Sequence, residues 1–157
     1  GISAAAGMAL GAKLSGKDFR VYAVLGDGEI EEGQVWEAAM YASAKGLDNL
    51  VAVIDNNNLQ IDGTVEEVCS PYPIDEKFAA FGFHVINING NDFDEIDKAF
   101  AEAKATKGMP TAIVAHTVKG KGVSFMENKA GWHGKAPNDE ELTIALEELG
   151  KAGDALC

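Results

Sequence analysis

Cysteine, proline and positive charge are all scarce in this chain of 157 residues: two Cys, four Pro, and 13 Lys and Arg set against 25 Asp and Glu. Cys69 and Cys157 lie far apart and lack metal-ligand spacing, which excludes a disulfide scaffold and a cysteine zinc site and points to a reducing cytoplasm. The formal net charge of −12 argues against nucleic acid, whose phosphate backbone demands clustered Lys and Arg. It leaves room for a phosphorylated cofactor, because one metal ion and a few local donors can dominate a small site. Long hydrophobic runs are missing too, so no segment reads as a membrane span, and no signal-peptide pattern precedes the first apolar run. Nothing resembles a linker, a repeat or a low-complexity tract. With 46% hydrophobic and 24% charged residues, residues 1–157 read as a single domain able to bury a sizeable core. The chain also lacks an initiator Met and any strand ahead of its first helix, so it reads as a piece of a longer polypeptide without its amino-terminal segment.

What is present is an alternation of strands and helices. Residues 20–25 and 50–54 are short continuous apolar runs, the pattern of strands buried on both faces. Between them, 34–44 carries Val35, Ala39 and Met40 at helical spacing, with Gly46 as a stop. A right-handed crossover of this kind makes the two strands parallel. Ala4 to Leu14 reads as a small-residue helix, with Gly7 and Gly11 four apart. Ile74, Phe78 and Phe81 share a helical face closed by Gly82, and 83–88 alternates like a strand near an edge. Asp92 and Glu95 have capping-box spacing before a helix bearing Phe93, Ile96, Phe100 and Ala103, which Gly108 and Pro110 end. A strand over 111–118 follows. The last element is a helix over 139–149 with Asn138 as cap and Leu142, Ala145, Leu146 and Leu149 directed inward. The fold class is α/β, with a mainly parallel sheet and helices on both faces.

Asp27, in Gly26-Asp27-Gly28, and Asn57, in Asp55-Asn56-Asn57-Asn58, follow the first two strands. Both therefore emerge at the carboxyl edge of the sheet, where open α/β sheets bind ligands. A carboxylate and an amide oxygen suit a hard divalent cation such as magnesium, which takes one or two protein carboxylates and leaves positions for water and phosphate oxygens. Each motif alone has an ordinary reading, Asp-Gly as a turn dipeptide and an Asn run as a loop. Lys119, in Lys119-Gly120-Lys121-Gly122, reads equally as a solvated lysine. His133 beside Trp132 reads as a packed loop residue or as a proton-transfer group. Glu32 and Glu37, five apart, fit a solvated helix entrance where acids complement the dipole.

Taken together, Gly26 through Ala38, Leu47-Asp48-Asn49-Leu50, Asp55 through Gly63, Lys119 through Val123 and Gly131-Trp132-His133-Gly134 closely resemble the thiamine diphosphate domain of transketolase. The resemblance spans roughly residues 1–150 and is greatest to the amino-terminal subunit of split bacterial and archaeal transketolases. It implies the three-layer thiamine diphosphate-binding fold. It also implies Asp27, Asn57 and the backbone carbonyl of Leu59 as ligands of magnesium, with calcium or manganese as substitutes. Gly28 matches a residue whose amide meets the cofactor diphosphate, a contact a Cβ would obstruct. Lys119 and His133 match groups near the diphosphate, the histidine also near substrate, and Ile61 matches an apolar neighbour of the cofactor rings. Glu32 and Glu37 match an acidic cluster close to a subunit contact.

The activity implied is transfer of a two-carbon ketol unit from a ketose phosphate to an aldose phosphate. The family's activating glutamate lies on a pyrimidine-binding partner domain or subunit, in a homodimer or hetero-oligomer, and has no counterpart here. The isolated chain is therefore expected to be a cofactor-anchoring half-site, inactive alone. Two alternatives stand beside this. One is another thiamine diphosphate enzyme, deoxyxylulose phosphate synthase or a 2-oxo acid dehydrogenase component; the other is a non-catalytic assembly module. Apolar surface lacking its cover is expected on the Ala4 to Leu14 helix and around Trp36 and Met40.

Overall fold

The computed structural model describes residues 1–154. Chain order runs α1 (Ile2–Leu14), β1 (Val21–Gly26), α2 (Gly33–Ala44), β2 (Leu50–Asn56), β3 (Leu59–Gln60), β4 (Gly63–Thr64), α3 (Val65–Cys69), α4 (Ile74–Ala80), β5 (His84–Asn89), α5 (Phe93–Ala105), β6 (Thr111–His116) and α6 (Asp139–Asp154). Strands β1, β2, β6 and β5 lie side by side in that order, every neighbouring pair parallel. The register sets Gly26 beside Asp55, and Asn56 and Asn89 both beside His116, so the strand ends finish nearly level at one edge. Strands β3 and β4 form a small antiparallel hairpin just beyond that edge.

Helices cover both faces, which makes the molecule a three-layer α/β fold. Against one face, α1, α2 and α4 bury Ile2, Ala5, Ala9, Val35, Ala39, Ala42, Ile74 and Phe78 on Leu25, Leu50, Ile54 and Val114. Alanine dominates α1 and α2 because small side chains let a helix backbone lie close to the sheet. Larger residues fill the space further along, where the Phe78 ring packs 5.1 Å from that of Trp36 and 5.3 Å from that of Phe83. The indole of Trp36 donates to the carbonyl of Ile30 at 2.9 Å, so the polar edge of this aromatic cluster is satisfied. On the opposite face, α5 sets Ala99 and Ala103 against Val51, Ile88, Ile113 and Ala115, with Ile96 and Phe100 partly buried beside them.

Several expectations are corrected. β1 is an edge strand within the described residues, and α5 reaches it only at its rim, where the Phe100 ring packs edge-on 5.6 Å from that of Tyr22, so Tyr22 is still exposed and Val24 is 73% exposed rather than buried on both faces. α6 buries Ala145, but Leu142, Leu146 and Leu149 face outward, because this helix is tied chiefly by Ser124 donating twice to Glu148. Phe93 is exposed as well; Met40 is exposed, as expected of uncovered apolar surface there, whereas Trp36 packs against the core beside Phe78. Asp92 caps α5 through the amides of Asp94 and Glu95, but the Glu95 carboxylate accepts from the amide of Asn89, so the reciprocal half of the box is not made. A full capping box forms instead at Thr64 and Glu67, before α3.

These contrasts set the expected stability effects. Phe78→Ala should cost about 3–5 kcal/mol, while Val24→Thr should change the stability of this chain by less than about 0.5 kcal/mol. Urea denaturation of both variants checks the difference.

Candidate functional site

The parallel ladder continues one residue past β1, where the amide of Asp27 donates to the carbonyl of Asp55 at 3.2 Å. That bond draws Asp27 inward to 1% exposure and sets it against the turn that follows β2. One carboxylate oxygen accepts from the Gly28 amide at 2.9 Å and the other from the Asn58 amide. In the same turn the Asn57 side-chain oxygen accepts from the Leu59 amide at 3.1 Å, an Asx turn, and Asn58 takes a left-handed φ of 61°. Asparagine tolerates that conformation better than most side chains. Asp27, the Asn57 amide and the Leu59 backbone N–H are thus fixed to one another through backbone bonds.

Burial pushes the Asp27 carboxyl above its usual range, outweighing the lowering by backbone donors at Asn58, Gly28 and Asn57, and the nearby Asp55 charge adds to the rise. The phenol of Tyr72 is raised as well, by burial first and then by the Asp27 charge. Tyr72 donates to the Asn56 side-chain oxygen at 2.7 Å, and the Asn56 amide lies 3.2 Å from His116 Nδ1, so a polar chain supports the turn from beneath. Thr117 donates to the Asp55 carboxylate.

A cleft of about 450 Å³ opens at this edge, lined by Asp27, Gly28, Asn57, Leu59, Ile61, Lys119 and His133 together with Gly26, Glu29, Asp55 and Gln60. The first seven come from four separate stretches of sequence, and all were singled out there. Glu32 and Glu37 are not among the lining residues; both are exposed at the start of α2. His133 is exposed, and Trp132 does not shield it. The indole instead donates to Phe125 O at 3.1 Å, packs 5.3 Å from the Phe125 ring and carries the Lys135 ammonium 4.0 Å from its centre. Trp132 therefore anchors the loop while the imidazole stays accessible. Gly120, with φ 71° and Met126 pressed close, gives the Lys119 segment its tight turn.

Glycine at position 28 is also required by the fold: a Cβ there would lie 2.9 Å from the Cβ of Gln60, so the neighbouring hairpin leaves no room for a side chain. Glu29, Asp55 and Gln60 are cleft residues that sequence reasoning passed over. Asp55 could have been found from the strand register, which places it beside Gly26.

The donors suit a hard cation. A buried carboxylate, an amide oxygen and a peptide carbonyl are oxygen ligands of the kind magnesium or calcium takes. No group of three or more His, Cys, Asp or Glu positioned for a metal occurs among the described residues, which sets the site apart from a zinc centre. The raised Asp27 pKa fits too, since a carboxylate buried with no countercharge gains most from one.

Known proteins share this architecture and sequence. The model for the family described as transketolase, thiamine diphosphate binding domain, matches residues 1–155. A 6-deoxy-6-sulfo-D-fructose transketolase subunit from Clostridium sp. is 44% identical over 153 residues, covering 98% of this chain and 56% of that protein. An apulose-4-phosphate transketolase subunit from Phocaeicola vulgatus is 43% identical over 149 residues, covering 95% of this chain and 53% of that protein. This chain thus spans about half the length of those relatives. The crystal structure of transketolase from Campylobacter jejuni superposes with a TM-score of 0.90 at 34% identity, covering 96% of this chain and 24% of that one.

The pKa shift sets a pH dependence. Because the folded pKa of Asp27 lies above its ordinary, unfolded value, the stability linked to its proton is fully present below the unfolded value and is lost as pH rises through the folded value. A bound cation reverses this by stabilising the charged form. Magnesium with thiamine diphosphate should therefore raise the melting temperature more at pH 7.5 than at pH 5, and Asp27→Ala should remove the increment. Thermal melts at both pH values check it.

Proposed function

Because the chain belongs to the transketolase family and matches its thiamine diphosphate binding domain, we propose that it anchors the diphosphate end of that cofactor for two-carbon ketol transfer. The observation that carries this reading is the convergence of Asp27, Gly28, Asn57, Leu59, Ile61, Lys119 and His133 on one cleft. Asp27, Asn57 and the Leu59 carbonyl would hold magnesium, which retains coordination sites for phosphate oxygens. Thiamine diphosphate, when bound, supplies the carbanion chemistry that breaks and forms the carbon–carbon bonds.

The chain's own residues bind and orient. Lys119 supplies positive charge in a cleft that otherwise carries Asp27, Glu29 and Asp55, offsetting the cost of bringing an anion there. His133, exposed on the same rim, can donate a hydrogen bond to a phosphate or substrate oxygen. Ile61 is 69% exposed at the cleft and offers apolar surface to a ring. The substrates would be a ketose phosphate donor and an aldose phosphate acceptor.

A pyrimidine-binding partner, as a second subunit or domain, would complete the centre, with Glu32 and Glu37 at the contact. Met8, Leu14, Met40 and Tyr41 on α1 and α2 provide exposed apolar surface for it. No helix of the described residues is long and apolar enough to cross a membrane, and the exposed free thiol of Cys69 fits a reducing cytoplasm.

Two outcomes test the reading. Isothermal titration of the full-length protein should show magnesium and thiamine diphosphate raising each other's affinity by the same factor; independent binding would contradict it. In the partner-bound protein, His133→Ala should weaken cofactor binding and slow ketol transfer together, by roughly tenfold to a hundredfold, whereas His133→Asn should recover part of the binding. Unchanged affinity and turnover in His133→Ala would return the residue to loop packing.

A further inference from the structure

Gln60 touches both lips of the cleft without being one of the groups that would meet the cation or the cofactor. It follows Leu59 directly, and its backbone pairs with Gly63 in the β3–β4 hairpin. Its side-chain amide donates to both carboxylate oxygens of Glu31, at 2.9 and 3.1 Å. Glu31 closes the short 3-10 turn Glu29–Glu31 that follows Gly28. That turn is itself held from the core. Ile30 is fully buried, and its carbonyl accepts the Trp36 indole. The Cβ of Gln60 meanwhile lies 2.9 Å from where a Cβ of residue 28 would stand, closer than two side chains could share.

We propose that Gln60 is a positioning residue for the cation site, latched by Glu31 on one side and seated on the bare Cα of Gly28 on the other, so that the Leu59 carbonyl is held at a set distance from Asp27. The proposal rests on the cofactor-anchoring reading above. Its physical basis is the difference between the three donors. The Asp27 carboxylate and the Asn57 amide are fixed by bonds from neighbouring backbone amides. The Leu59 carbonyl belongs to the peptide that Gln60 itself completes, so the hairpin's position decides where that oxygen lies. The Glu31–Gln60 contact joins the hairpin to the loop carrying Asp27 through a charge-assisted hydrogen bond, which is stronger than a neutral one. Magnesium demands near-ideal octahedral geometry, whereas calcium accepts longer and more variable coordination. A loosened hairpin should therefore harm magnesium binding more than calcium binding.

The test uses full-length protein in its natural assembly, with magnesium chloride, calcium chloride and thiamine diphosphate as probes and titration calorimetry as readout. Gln60→Ala and Glu31→Ala should each weaken magnesium binding at saturating thiamine diphosphate by about tenfold, and calcium binding by at most about twofold. The double variant should be no worse than either single one, because both remove the same contact. Glu31→Gln, which keeps one acceptor for the Gln60 amide, should lie between.

Other outcomes overturn the latch. Single variants that fold and bind magnesium as well as the parent would do so. So would equal losses for magnesium and calcium, which is what a general loss of stability produces. A parent protein that binds neither magnesium nor thiamine diphosphate would overturn the anchoring reading and the latch together; indifferent variants in a parent that binds both would overturn the latch alone.

Discussion

The site depends on the parallel register of β1 and β2, and on the single bond that extends it from the Asp27 amide to the Asp55 carbonyl. A parallel pair brings both strand ends to the same edge, so residues about thirty positions apart in sequence can act on one ligand. The extension then turns Asp27 into the protein rather than into water. A carboxylate so placed is held by backbone donors but has no countercharge, and its raised pKa is the electrostatic signature of that arrangement. Burial is thus a cost in the metal-free protein and would be an advantage with a cation bound, since the field of a divalent ion is screened least where water is sparse.

The rest of the fold maintains that register. The layer of α1, α2 and α4 packs alanines close to the sheet and closes with the Trp36, Phe78 and Phe83 rings. Through the Trp36 indole the same cluster holds Ile30, and so the turn that follows Gly28. Core packing and loop position are therefore coupled through the buried Ile30 side chain and this hydrogen bond. The opposite layer is thinner. α5 covers β5 and β6 but meets β1 only through the Phe100–Tyr22 edge contact and leaves Val24 open, and an apolar groove lies between Val24, Val53, Ile96 and Phe100.

Much of this was legible in the sequence, and the reasons are local. The β1, α2, β2 unit could be read because apolar runs and helical spacing are strong there, and Asp27 and Asn57 because each directly follows a strand. Lys119, His133, Leu59, Ile61 and Gly28 were reached by resemblance, and the structure sets all five on the same cleft. Other features depend on tertiary contacts that no local pattern encodes. Val24 looks like a core residue by composition, but burial of a strand face depends on what packs over it. Leu142, Leu146 and Leu149 have core-facing spacing on a helix that meets little of the core. The Glu31–Gln60 contact joins residues that nothing in the sequence pairs. Glycine at position 28 was expected from the family pattern, but its neighbour in space is a glutamine side chain.

Asp27, Asn57 and the Leu59 carbonyl are proposed to form a cation site at the mouth of this cleft. Anomalous scattering from a crystal of the full-length protein grown with manganese and thiamine diphosphate tests it most directly. The expected result is one manganese peak in coordination contact with all three groups and with diphosphate oxygens. A manganese peak elsewhere, or a bound diphosphate with Asp27 still turned only toward the Gly28 and Asn58 amides, would contradict it.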